Sequence, residues 1–271
     1  MANGTIKELD TAISSGSARA HDGSGPLLLC FEAVCVLSVA ALAAIHLWRF
    51  VATPIAFTWL IPTAVIAAWM AADFVTGVVH WAADTWGEET TPFWGPRFLR
   101  PFRVHHITPR SFLECGFFDT NGDTAMLCIP GLLLAFLLPL HHPMFAAAAV
   151  FCVAFCAIGA PTNQIHQWAH QAQPPRVVAV LQKLRIILPP EEHERHHRHP
   201  HVTRYCISSG VCNPLLDAVR FFPRLEQLIT RVTGVQPRHD EESHPETFNA
   251  NADLPKKATP PIQYEAKTTD V

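Results

Sequence analysis

Charge is what this chain has least of. Only 16% of its 271 residues are Asp, Glu, Lys or Arg, against about 25% in soluble domains. The formal net charge of -3 excludes a strongly basic nucleic-acid binder, so no nucleic-acid partner is expected. Eight cysteines are present, with no C-x-x-C pair among them. Most lie in apolar runs, where Cys acts as a small hydrophobe, so neither a disulfide framework nor a thiolate zinc site is indicated. No internal repeat is evident. What remains is apolar: mean hydropathy is +0.17, in blocks too long for an ordinary core. The composition predicts an all-α integral membrane protein.

Residues 1–25 are polar and rich in Gly, Ser and Ala and read as a flexible tail. The first apolar block comes too late, and is too long, for a signal peptide. A membrane domain is expected over 26–234 and a disordered tail over 235–271. About four transmembrane helices are predicted, from Pro26 to Phe50, Pro54 to Trp81, Thr124 to Leu140 and Met144 to Ala160. About 20 apolar residues cross the hydrocarbon core, and the two shorter runs pair as a hairpin around Pro139–Pro143. A polar loop joins spans two and three. Between Arg176 and Gly234, runs such as Val177–Leu181 alternate with Lys183, Arg185 and Arg195, as in amphipathic surface helices.

The polar residues that interrupt this pattern are mostly histidines. Five fall within 193–201. His193 and His197, and likewise His166 and His170, are one helical turn apart and share a face. Asp73, Gly77, His80 and Asp84 form a stripe at the end of span two, and ionisable groups at membrane depth are functional by default. The basic residues concentrate in the loop after span two and the segment after span four. The positive-inside rule therefore puts both segments and both termini in the cytoplasm. His80, Asp84, His105, His106, His166, His170 and the 193–201 run then share one membrane face. His46, His141 and His142 fall on the other face, and His21, His239 and His244 in the tails. So many imidazoles exceed the four ligands zinc uses. Two metal ions fit better, and a nitrogen-rich set suits a pair of non-haem irons that reduce O2. Asp84, Asp119 and Asp123, the last two flanking Asn121, are candidate ligands or acceptors that orient imidazole N–H groups.

Five ordered blocks carry a resemblance. They are Ala72–Gly87, Arg100–His106, Asp119–Asp123, Thr162–His170 and His193–His201. Together they resemble the plasmanylethanolamine desaturase family, which includes a bacterial carotenogenesis regulator branch and, more distantly, a plant desaturase acting on phosphatidylglycerol. The likeness spans roughly Leu60 to Gly210. It implies a di-iron enzyme, with O2 as co-substrate, that forms the 1,2 vinyl-ether double bond in the O-alkyl chain of a membrane phospholipid, giving a plasmalogen. The implied iron ligands are His80, His105, His106, His166, His170, His193, His196, His197 and His201, with Asp84, Asp119, Asn121 and Asp123 as further site residues. His199 has no family counterpart. Electrons would come from an electron-transfer protein resembling cytochrome b5 or a ferredoxin. The implied location is the endoplasmic reticulum of a eukaryote or the inner membrane of a bacterium, with the site facing the cytoplasm. Two departures stand out: Cys115-Gly116, where relatives often carry His-Asp, and Glu191-Glu192, where they tend to be basic.

Other readings compete. The same ligands would serve a fatty-acyl phospholipid desaturase or hydroxylase. A membrane metal carrier would place its ligands along a midplane path rather than at one face. His193-Glu194-Arg195-His196-His197 also fits H-E-x-x-H, with Glu194 as the base of a zinc metalloprotease, which leaves the histidines of the other segments unexplained.

Overall fold

The computed structural model describes residues 25–54 and 58–238. The expected tails lie almost wholly outside that range, as do His21, His239 and His244. Among the described residues there are helices and no strands.

Helix α1 (Pro26–Ala52) opens on a proline at its first turn, where the missing N–H costs nothing. It ends before Thr53-Pro54. Its buried residues are Glu32, Cys35, Val39 and His46, a single stripe, while Leu27, Val34, Leu37, Leu47, Trp48 and Val51 are exposed. Helix α2 (Leu60–Thr85) buries Ala64, Ala68 and Ala72. Helices α4 (Phe117–Ala135) and α5 (Pro143–Gly159) form the expected hairpin. Packing runs α1 on α4, α4 on α5 and α5 on α2. The α2–α5 seam is made of small residues, with Ala146 and Ala149 of α5 fully buried. That is how helices approach closely where lipid provides no hydrophobic drive.

Three segments are long and apolar enough to cross a membrane: Pro26–Ala52, Leu60–Thr85 and Pro143–Ala169. The third expected span differs. Its helix starts earlier, at Phe117, because Gly116 provides an extended cap. Asp119, Asn121 and Asp123 therefore sit inside its first two turns and lower its hydropathy. It also stops earlier, at Ala135. There His46 Nε2 donates to the Leu132 carbonyl at 2.8 Å and Arg49 donates to the carbonyls of Ala135 and Leu138. Two polar residues of α1 thus satisfy carbonyls that a helix C-terminus leaves open. His46 is thereby accounted for, as a buried helix-end partner.

Glycine sets one crossing. A Cβ on Gly122 would run into Glu32 of α1, meeting its Cγ, its Cβ at 2.6 Å and its Cα at 3.0 Å. Since backbone cannot give as a side chain can, Gly122→Ala is expected to destabilise the chain by about 1–3 kcal/mol. A lowered thermal midpoint in detergent is the check.

The expected loop after α2 is largely ordered as short helices. A π-helical turn (Gly95–Leu99) leads into α3 (Arg100–Ile107), and a 3-10 turn (Pro109–Glu114) follows. Beyond α5 come α6 (Thr162–Ala169), α7 (Arg176–Lys183), α8 (Pro190–His196), α9 (Asn213–Ala218) and α10 (Phe221–Thr233). The segment joining α8 to α9 folds back onto α2. Trp81, Tyr205, Cys206, Leu216 and Phe222 form one buried cluster with Phe74 and Val78 beside it.

Candidate metal centre

Four helices bring their histidines together: α2 with His80 and Asp84, α3 with His105 and His106, α6 and its C-cap with His166 and His170, α8 and its C-cap with His193, His196 and His197. They sort into two groups of convergent ligand atoms. One holds His105, His166, His170, His193 and His197; the other holds His80, Asp84, His106 and His196.

In the first group, His193 Nε2 stands 2.7 Å from the Nε2 of both His166 and His170, and 2.9 Å from that of His197. His105 Nε2 is 3.1 Å from His170 Nε2 and 3.0 Å from His197 Nε2. Burial, together with the neighbouring imidazoles, pushes His105 and His193 well below the usual histidine pKa. The same causes bring His170 to about 4 and His197 to about 2. These rings are neutral at physiological pH, and a neutral ring carries one N–H. A single proton on His193 Nε2 cannot serve three neighbours; a shared cation can.

The second group makes the same case more directly. The Nδ1 of His80 faces the Tyr205 carbonyl at 3.1 Å, and the Nδ1 of His196 faces the Thr203 carbonyl at 2.7 Å. Carbonyls only accept, so both Nδ1 atoms carry the proton and both Nε2 atoms are bare lone pairs. Those lone pairs stand 3.3 and 3.7 Å from Asp84 Oδ2, with His106 Nε2 at 3.4 Å. Neither carboxylate oxygen of Asp84 has a hydrogen-bond partner. Ligands about 2.1 Å from one ion would be separated by about 3.0 Å at a right angle and about 3.4 Å at the tetrahedral angle. Spacings of this size in both groups fit a cation in each.

The remaining expected residues fall nearby. His201 packs its ring 5.0 Å from that of His106 and belongs to neither group. His199 is exposed. Asn121 donates to Gln164, which donates to Gln167, which in turn donates to the carbonyls of Phe112 and Cys115. This chain of amides pins α6, the helix that carries His166. Asp123 accepts from Arg97, which also donates to Glu32. Asp119 and Asp123 line a cavity of about 120 Å³ shared with His105 and His166. Glu194, the base a metalloprotease reading requires, is exposed and paired with Arg198.

The supporting roles of Asp73, Gly77 and Glu192 were not legible from residue types. Asp73 is fully buried. Its Oδ1 accepts from Ser208 Oγ at 3.1 Å and from the backbone N–H of Ser209 and Gly210 at 2.7 and 2.8 Å; Oδ2 accepts from the Cys212 N–H at 2.9 Å. One turn on, Gly77 lets the chain pass close, since a Cβ there would meet Cys206 Sγ at 2.5 Å and its backbone N at 3.2 Å. The Asp73-Gly77-His80-Asp84 stripe is thus one seam: two residues seat the 203–212 segment and two are ligand candidates. Glu192, the second residue of the Glu-Glu departure, is buried and accepts from Arg185, Arg195 and Arg204, tying α8 to its flanks.

The lipid desaturase domain profile matches residues 69–240. The chain is 39% identical over 219 residues to a plasmanylethanolamine desaturase of Myxococcus xanthus, covering 81% of this chain and 78% of that protein. It is 38% identical over 221 residues to plasmanylethanolamine desaturase 1 of Mus musculus, covering 79% of each. To the chloroplastic fatty acid desaturase 4 of Arabidopsis thaliana it is 35% identical over 178 residues, 64% of this chain and 52% of that one. No solved structure matches. With imidazoles of one membrane-length helix and three short polar helices grouped for metal, and a profile match over more than half its length, the chain belongs to the lipid desaturase domain family and is an oxidoreductase of the plasmanylethanolamine desaturase type.

Proposed function

We propose that this enzyme uses O2 to introduce the 1,2 double bond into the O-alkyl chain of plasmanylethanolamine, giving the vinyl ether of a plasmalogen. The observation that carries this reading is the shared cavity, in which His105 and His166 meet Arg97, Asp119 and Asp123 across walls of Val79, Phe98, Phe102, Phe112 and Leu127. The carbon next to the ether oxygen is separated from the phosphate only by the glycerol unit. A site that oxidises this carbon must therefore hold charged lipid groups close to its imidazoles, whereas one acting far along a chain would be lined by hydrocarbon alone.

The two ligand groups would hold a pair of irons, and α4 would supply a fourth membrane crossing with the site at the cytoplasmic face. Bound iron supplies the activation of O2 and the oxidising power to take hydrogen from an unactivated C–H bond. The protein's share is positional. The carbonyls of Thr203 and Tyr205 keep the His196 and His80 lone pairs turned inward, as hydrogen-bonded partners of ligating histidines commonly do. The phenylalanine wall keeps water from the reacting carbon. Overall the alkyl chain loses two hydrogens, and O2 takes them with two further electrons and protons to leave as water. A cytochrome b5-like or ferredoxin donor would provide the electrons.

Expression in a plasmalogen-free host supplied with plasmanyl lipid, followed by lipid mass spectrometry, is expected to yield vinyl ethers. The name of the Arabidopsis relative favours a second reading, and a new acyl double bond with no vinyl ether would decide for it. Removing the metal from purified protein with a chelator is expected to stop O2 consumption, and adding iron to restore it. Exchangeable zinc without O2 consumption would point to a metal carrier instead.

A further inference from the structure

The cavity beside His105 and His166 is open on one flank. Val79 of α2 and Leu127 of α4 both line it, yet they are 38% and 69% exposed, so the space reaches the protein surface between these two helices. The packing order explains the opening. Helices α2 and α4 each pack on α5 and barely touch one another, which leaves a cleft between them. Apolar side chains continue that cleft away from the imidazoles. Val75 lies one turn before Val79, and Leu134 two turns beyond Leu127, on the same helix faces, and both are exposed. From Leu127 to Leu134 the track runs about 10 Å along α4. Polarity changes along the same wall. Near the imidazoles α4 presents Asp119, Thr120, Asp123 and Thr124, and at the mouth it presents Leu127. The polar end is held against the metal centre, since the Thr120 carbonyl accepts from Asn163 at 3.1 Å, one turn before His166 on α6. A pocket for a water-soluble substrate needs no apolar way out between two helices. A lipid whose reacting carbon joins a polar glycerol to a long chain needs both ends of this wall.

We propose that the cleft between α2 and α4 is the port through which the O-alkyl chain of the substrate phospholipid passes sideways from the bilayer to the imidazoles, with Val79 and Leu127 at its mouth. The bound chain lies along Val75 and Leu134, and the ether end reaches the polar part of the wall. The identity of this occupant rests on the desaturation reading proposed above; the port itself rests on the packing of α2, α4 and α5. Leu127 is the residue to change, because its exposed side chain can be enlarged into the cleft without disturbing the core.

The test measures occupancy separately from turnover. Full-length protein in phosphatidylcholine vesicles is given plasmanylethanolamine carrying a photoreactive diazirine in its O-alkyl chain, and the labelled peptides are identified by mass spectrometry. Residues 75–79 and 127–134 are expected to be labelled, and an excess of unlabelled plasmanylethanolamine should remove that labelling. Labelling of exposed α1 residues such as Leu37 comes from bulk lipid and should persist. Leu127→Trp overfills the mouth and should lower both the displaceable labelling and vinyl-ether formation about tenfold, with iron content and thermal midpoint unchanged. Leu37→Trp, equally exposed but away from the cleft, should change neither. Displaceable labelling elsewhere, for instance on residues 177–186, or none at all, overturns the proposal even if vinyl ethers form. So does Leu127→Trp with wild-type labelling and turnover. Should Leu127→Trp fail to fold, the wild-type labelling pattern decides alone. Displaceable labelling of the cleft in a protein that forms no vinyl ether would leave the port standing and remove the desaturation reading.

Discussion

His193→Ala is expected to abolish vinyl-ether formation and to empty one of the two ligand groups of metal while the other stays loaded. His193 is the hub of its group, with three other Nε2 atoms within 2.9 Å. Its removal takes away the ligand that His166, His170 and His197 converge on. His105 remains tied to the last two alone. A metal contributes several kcal/mol of transition-state stabilisation, so activity should fall by about a thousandfold or more. Metal analysis of the purified variant gives the second readout. Half the wild-type iron, with the fold intact by circular dichroism, is the expected result. Wild-type iron with wild-type turnover would remove His193 from the site.

Asp73→Asn should be nearly as damaging, from a position that touches no ligand atom. The carboxylate accepts four hydrogen bonds from buried donors of the 208–212 turn. An amide keeps the shape but turns an NH2 group toward at least one of those donors. Each hydrogen bond to a charged group contributes about 1.5–3 kcal/mol, and a donor left facing a donor adds to the loss. The same segment carries the Thr203 and Tyr205 carbonyls that orient His196 and His80. The expected outcome is a lowered thermal midpoint together with weaker metal retention in the His80, Asp84, His106 and His196 group. Retention in the group centred on His193 should be much less affected. Equal metal loss from both groups would mean that Asp73 serves general stability rather than this positioning.

The helical periodicity of the sequence exposes part of this arrangement. Residues four apart share a helix face while adjacent ones point about 100° apart. Accordingly His80 and Asp84 fall in one group, His166 and His170 in the other, and His193 and His197 together. By the same rule the adjacent pairs split. His105 and His106 go to different groups, as do His196 and His197. What periodicity cannot show is which faces meet. That depends on the order in which helices pack, and on contacts such as Asp73 with the 208–212 turn that join residues far apart in the chain. Backbone acceptors are invisible to residue types altogether, which is why the Thr203 and Tyr205 carbonyls had no signature. The segment after α2 departs from the expected loop for a related reason. Its Pro, Gly and Arg content is loop-like, yet α3 forms there, carrying His105 and His106 into the site.

The sequence by itself determined a helical, membrane-type chain, the family, and the histidines as candidate metal ligands, because hydropathy, motif order and imidazole spacing are local properties. Only the tertiary structure decided the division into two ligand groups, the tautomers of His80 and His196, and the meeting of Arg97, Asp119, Thr120 and Asp123 with His105 and His166 around one cavity. Those follow from how buried polar groups find partners across helices, and such partners are fixed by packing rather than by position along the chain.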